Sequence, residues 1–287
     1  MANKQDKSVI AKAAWNEENG EAIDMSWTRR LMNESVHGVF KVVYKLFQGT
    51  GAFYTTVDKQ NFERWLFITC SHVVPTCNIQ DVLEFMKLFY PIIGEPTDNS
   101  LLKFKREHLL CCWTRKCDCV DATVIELSSD GAKLFLNLKI TFLQIAADIN
   151  VNDLVAILQM PEGRSKFAYG SINKVKKSKI IYHIATAPGS SGAPLLDQKC
   201  RAVAIHRAGD TTDADMNKSL ADQANLRRMA SVLSEIVNKF FIECPTLYPF
   251  HSLYEYLALH QGRSKGLIGG RQLGQYKFIN QNFSAEF

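Results

Sequence analysis

Residues 188–194, Pro-Gly-Ser-Ser-Gly-Ala-Pro, set a serine hydroxyl in a run of small residues. A turn of this kind can carry Ser191 at a sharp exposed bend and aim the backbone N–H groups of Gly189 and Ser191 at one point. Fixed donors so arranged stabilise the oxyanion of a tetrahedral intermediate. On its own the stretch also fits an ordinary Gly/Ser/Pro turn, so the partners decide. A serine nucleophile needs a general base in reach and a third group that orients the base. The apolar run Trp65–Cys70 leads into Ser71-His72, which puts His72 just past a buried strand. Asp121 opens Ala122-Thr123-Val124-Ile125-Glu126-Leu127, a strand that would bury and aim its carboxylate, and for that reason it is preferred to Asp118. The chemistry is acyl transfer. His72 takes the Ser191 proton, Asp121 holds the imidazole tautomer, and Gly189 and Ser191 form the oxyanion hole.

The chain order His72, Asp121, Ser191 distinguishes this arrangement from other serine-nucleophile orders. Four stretches carry a wider likeness: Gly49-Thr50-Gly51-Ala52-Phe53-Tyr54, Phe67-Ile68-Thr69-Cys70-Ser71-His72-Val73-Val74, Asp121-Ala122-Thr123-Val124, and Pro188 to Leu196. Over about residues 35 to 240 the sequence resembles the trypsin-like serine proteases, and within them the HtrA-type and intracellular trypsin-like peptidase domains. The resemblance implies an all-β, chymotrypsin-like double six-stranded β-barrel with a C-terminal helix and short terminal extensions. The triad would lie in the cleft between barrels, with protein or peptide substrates and no cofactor. Ser190 stands where zymogen-activated relatives carry an aspartate. This departure argues against activation by an inserted N-terminal amine and for control by assembly, ligand or loop ordering, with which a homo-oligomer is compatible.

Ala187, Ser190 and His206 are the substrate-contacting candidates. The setting Ile205-His206-Arg207-Ala208-Gly209 resembles that of glutamyl endopeptidases and viral main cysteine proteases, which implies recognition of Glu or Gln before the cut. Some intracellular trypsin-like peptidases with a similar sequence prefer aromatic residues, and an imidazole packed against the barrel wall is the plainer alternative. Arg207 could add positive charge, although alternation along a strand should send it to the other face. A catalytically silent scaffold that binds peptides is the competing function. The histidines at 37, 108, 183, 251 and 260 have no adjoining carboxylate motif.

The elements that must position these residues follow from periodicity. Alternation over Val36–Tyr44, the run from Gly49 to Val57, residues 61–70 and Ala122–Leu127 predict strands of a first barrel. Leu154–Leu158, Gly170–Val175, Lys179–Ile184 and Ala202–His206 predict strands of a second. Residues 78–118 read as a long connection with a short helix at Val82–Lys87. Residues 219–240 read as a helix packed on the second barrel. The resulting division is an extension over 1–30, a protease-like domain over 31–242, and a tail over 243–287.

Composition agrees with one β domain plus extensions. The chain has 287 residues, 46% of them hydrophobic, a net charge of +5 and eight cysteines. The mild positive charge does not argue for nucleic acid, and the basic run Lys174–Lys179 reads as a solvated hairpin tip. No run is long and apolar enough for a membrane span. The N-terminal residues lack a secretory apolar region, so reduced thiols and a cytoplasmic or nuclear location are expected. Cys111, Cys112, Cys117 and Cys119 lack the spacing of a zinc site, so no metal is expected.

Overall fold

β-branched and aromatic residues in runs of four to eight favour a pleated, half-buried surface, and here they build two sheets. The computed structural model describes residues 25–57, 63–90, 101–117, 120–146, 148–161, 164–176, 178–209 and 227–244. The strands are β1 Val39–Tyr44, β2 Phe47–Val57, β3 Glu63–Thr69, β4 Met86–Phe89, β5 Leu101–Leu102, β6 Leu109–Lys116 and β7 Asp121–Leu127. They continue with β8 Leu143–Gln144, β9 Leu154–Gln159, β10 Lys166–Lys176, β11 Lys179–His183, β12 Pro194–Leu196, β13 Ala202–Gly209 and β14 Arg227–Val232.

The expected division into two β units is present. The first is an eight-stranded sheet in the order β5-β4-β1-β2-β3-β7-β6, with β8 pairing β2. The second is a closed barrel in the order β10-β11-β14-β13-β12-β9. Pairing of β2 with β3 aligns Gly51 with Thr69, and pairing of β6 with β7 aligns Lys116 with Asp121. The chain thus enters the His72 turn and strand β7 from neighbouring positions of one sheet.

Two expectations change. Residues 78–118 are not mainly a connection: they supply a helix over Ile79–Phe85 and strands β4, β5 and β6. The irregular Leu-Leu-Cys-Cys-Trp-Thr-Arg-Lys of β6 shows no clean alternation because a bulge lies between Leu109 and Cys111, and a bulge shifts which face each side chain takes. The second change is at the C-terminal end. Residues 227–232 form strand β14, which closes the barrel, and the helix begins only at Leu233 and runs to Glu243. Arg228 and Ser231 are buried there, which breaks the hydrophobic pattern a strand would display. Residues 219–226, most of the expected extension and the tail from 245 onward lie outside the described residues.

The larger core packs Phe40, Phe53, Phe67 and Phe135 of the first unit together with Leu154, Met160, Leu196, Leu233, Ile236 and Phe240. Trp27 and Leu31 are buried in it, although they flank the boundary expected at residue 30. Trp27 meets the Tyr169 ring edge-on at 5.1 Å, and the Thr28 and Tyr169 hydroxyls are 2.9 Å apart. A second core of Ile157, Ile172, Ile180, Tyr182, Leu195 and Val203 fills the closed barrel. No helix among the described residues is long and apolar enough to cross a membrane.

Candidate active site

Strand β3 ends at Thr69, and the chain turns immediately: the N–H groups of Val73 and Val74 both bond the Cys70 carbonyl at 3.1 Å. His72 is carried on this turn, with about a third of its side chain exposed. Asp121 begins β7 and is buried. Its Oδ2 takes His72 Nδ1 at 2.7 Å, while Oδ1 accepts the His72 backbone N–H at 3.1 Å and the Ser71 hydroxyl at 2.5 Å. Burial raises the Asp121 pKa, but hydrogen bonds from His72 and Ser71 and the attraction of His72 outweigh it and bring it down to about 2. The carboxylate is therefore charged at neutral pH, and it accepts from Nδ1–H. That leaves Nε2 as the free acceptor that a general base requires.

The loop bearing Ser191 is clamped to both sheets. Gly189 and Gly192 hold φ of +91° and +90°, backbone angles that favour glycine. A side chain at Gly192 would also put its Cβ 2.0 Å from the Thr50 carbonyl oxygen. Thr50 of β2 donates its N–H to the Ser191 carbonyl at 2.7 Å and its hydroxyl to the Gly189 carbonyl at 2.8 Å. On the other side, the Gly192 N–H bonds the His206 carbonyl at 2.8 Å, which also takes the Cys70 thiol at 3.2 Å. The loop, β13 and the turn of His72 thus meet around one carbonyl.

Within the loop, the Ser190 N–H bonds the Ala187 carbonyl at 3.1 Å and the Ala193 N–H bonds the Ser190 carbonyl at 2.9 Å. Among the described residues, no backbone carbonyl engages the N–H groups of Gly189 or Ser191. These are the two donors expected for an oxyanion. The Ser190 side chain is buried and turns inward: its hydroxyl contacts Gln159 Oε1, lies 2.6 Å from the Ala187 carbonyl, and accepts the Ala187 N–H at 3.1 Å. Gln159 in turn donates to the Ala185 carbonyl at 3.2 Å. The Ser190 hydroxyl is thus neutral and already satisfied inside the loop. Ser191 is half-buried, and no hydrogen bond joins its hydroxyl to His72 among the described residues.

His206 is buried in the closed barrel, with Nδ1 2.5 Å from the Tyr182 hydroxyl. Burial, then the nearby Arg228 and His72 charges, lower its pKa to about 3. Burial also holds the Tyr182 phenol well above its usual value, so the phenol stays protonated. A protonated phenol donates to Nδ1, which places the imidazole proton on Nε2. Arg207, next in the strand, sends Nε to 3.7 Å from Asp121 Oδ2.

Sequence reasoning had not singled out Ser71, Thr50, Gln159 or Tyr182. Only Tyr182 left a signal there, as the middle inward position of Ile180, Tyr182 and Ile184. The other three act through contacts between residues distant in the chain. Cys70, His72 and Asp121 present possible ligand atoms within 4.8 Å of one another. Burial keeps the Cys70 thiol protonated, and the guanidinium of Arg207 stands against the carboxylate. Both oppose a bound cation. The expected rival acid Asp118 and the cysteine Cys119 lie outside the described residues.

A family model described as a trypsin-like peptidase domain matches residues 49–205. That interval runs from the residue before Thr50 to the residue before His206. No curated protein matches the sequence. Among solved structures, the chain is similar to Rv3671c from M. tuberculosis H37Rv in an inactive mutant form, with 14% identity, a TM-score of 0.47, and coverage of 77% of this chain and 95% of that one. It is similar to Deg5 at 13% identity and a TM-score of 0.47, covering 76% and 94% of the two chains. It is also similar to a Glu endopeptidase in complex with MPD, at 14% identity and a TM-score of 0.47, covering 71% and 90%.

Proposed function

The chain belongs to the trypsin-like peptidase family, and from that premise we propose that it is a serine endopeptidase with His72, Asp121 and Ser191 as its triad. The observation that carries this reading is the 2.7 Å bond between His72 Nδ1 and a buried, charged Asp121. It leaves Nε2 as the acceptor. In the reaction Ser191 Oγ attacks the scissile carbonyl as His72 Nε2 takes its proton. The N–H groups of Gly189 and Ser191 receive the oxyanion, His72 returns the proton to the leaving amine, and water releases the acyl-enzyme. In this reading the Ser191–His72 hydrogen bond forms when substrate is bound.

The same reading takes His206 as the recognition group for the residue before the cut. A neutral imidazole with its proton on Nε2 donates one hydrogen bond to the side-chain oxygen of Gln or Glu. Ala187 lines the approach to this pocket. Ser190 shapes it from behind through its bonds to Ala187 and Gln159. The catalytic domain, expected over 31–242, takes in Trp27 before it and Glu243 after it, and acts on protein or peptide substrates in the cytoplasm or nucleus.

A peptide library cut by wild type, with Ser191→Ala as control, tests the proposal. Turnover is expected to fall on the order of 10⁴-fold or more in Ser191→Ala, with the melting temperature unchanged and cleavage after Gln or Glu in wild type. A fluorophosphonate probe is expected to label Ser191. Equal cleavage by the variant would end the serine reading. A wild type that neither cleaves nor takes the probe would instead favour the silent peptide-binding scaffold.

A further inference from the structure

On strand β13, His206 faces into the closed barrel and meets Tyr182. The next residue points the other way. Its guanidinium reaches Asp121, with Nε 3.7 Å from Oδ2, and only 19% of its side chain is exposed. The two carboxylate oxygens are unequal in their partners. Oδ1 accepts the Ser71 hydroxyl and the His72 backbone N–H, whereas Oδ2 takes His72 Nδ1 and also faces Arg207. The oxygen that must answer the imidazolium during acyl transfer is therefore shared with a permanent cation.

From this geometry we infer that Arg207 is a positioning residue for the His72–Asp121 pair rather than a charge for binding substrate. The inference rests on the reading of that pair as catalytic. Two consequences follow from electrostatics. An ion pair on Oδ2 restrains rotation of the carboxylate, so Nδ1 keeps one acceptor in one orientation. A cation fixed at that oxygen also opposes a second positive charge on the ring, and so favours the neutral imidazole that works as a base. The other groups around the pair do not supply this effect. The Cys70 thiol is buried and protonated, the Ser71 hydroxyl is neutral, and His206 is buried and uncharged at neutral pH.

The acid side of the activity profile is thereby extended. Without Arg207, the acid limb of the kcat/KM profile should move to higher pH. Arg207→Lys keeps the charge on a flexible stem and should return most of that shift.

The experiment compares wild type, Arg207→Gln and Arg207→Lys by kcat/KM against pH. In the Ser191→Ala background it also follows the low-field proton resonance of the His72 Nδ1–H bond, a signal independent of turnover. The inference is supported if Arg207→Gln raises the acid limb, broadens or moves that resonance, and Arg207→Lys restores both. It is overturned if Arg207→Gln melts like wild type and leaves both limb and resonance in place, or if it changes only KM, as a substrate-binding charge would. Should Arg207→Gln fail to fold, Arg207→Met replaces it with the same readouts and the same outcomes, and an Arg207→Lys limb shifted as far as that of the neutral variant also overturns the inference. The catalytic reading fails separately, by Ser191→Ala retaining activity, and in that case the resonance still reports whether Arg207 acts on the pair.

Discussion

A buried imidazole changes how acid acts on this protein. His206 has a folded pKa near 3, against an ordinary 6.5. Between those values the unfolded chain binds a proton that the folded chain does not, so stability is complete above about pH 6.5 and declines as pH falls toward 3. From pH 7 to pH 4 this one group should remove about 3 kcal/mol. Asp121 has a folded pKa of about 2 against an ordinary 3.8, and its contribution is lost only below about pH 4. Urea unfolding at pH 7 and pH 4 checks the prediction: wild type should lose about 3 kcal/mol more than His206→Gln over that interval. Equal losses in the two proteins would mean that His206 is already protonated in the folded state near pH 6. The motif residues His72, Asp121 and Ser191 could be read directly because each lies next to a short pattern of its own. Arg207 could be placed on a strand face but not on a partner, since Asp121 comes from the other sheet.

At the scale of elements, the loop around Ser191 owes its shape to what surrounds it. Gly192 combines φ of +90° with a backbone oxygen 2.0 Å from any added Cβ. The Thr50 carbonyl cannot retreat easily, because it accepts the Thr69 hydroxyl at 2.7 Å. Gly192→Ala should therefore cost about 1–3 kcal/mol of backbone strain and displace the Gly189 and Ser191 donors. The expected result is a lower melting temperature together with a fall in kcat of at least about 10²-fold. An alanine variant with wild-type kcat would show that the loop tolerates the shift. Strands with an apolar alternation or a continuous apolar run, such as β1, β3 and β7, were legible in advance. β6 and β14 were not. One carries a bulge, and the other buries Arg228 and Ser231 where apolar residues would announce a strand.

For the whole molecule, the helix Leu233–Glu243 packs on β13 and β14 of the second barrel, as expected, and also reaches the core of the first. Phe240 is fully buried there and meets the Trp113 ring at 6.2 Å. Trp113 Nε1 donates to Glu243 at 3.0 Å, Arg115 pairs with the same carboxylate, and the Arg64 guanidinium lies over the Phe241 ring at 4.9 Å. Because the two units share this core, loss of the Phe240 ring should destabilise the domain as one body. Phe240→Ala is expected to cost about 3–5 kcal/mol, with a single unfolding transition by both circular dichroism and tryptophan fluorescence. Two separated transitions would refute the shared core.

The amino-acid sequence by itself determined many of the strands, the order of the triad candidates and the small-residue loop, because strand patterning and turn composition are local properties, and its family resemblance implied the two β units. It also carried the departure at Ser190. Tertiary structure alone decided that the Ser190 hydroxyl turns inward to Gln159, that Tyr182 sets the His206 tautomer, that Thr50 clamps the Ser191 loop, and that Arg207 turns to Asp121. Each of these joins residues from different strands, and their meeting depends on register and packing, which no local pattern records.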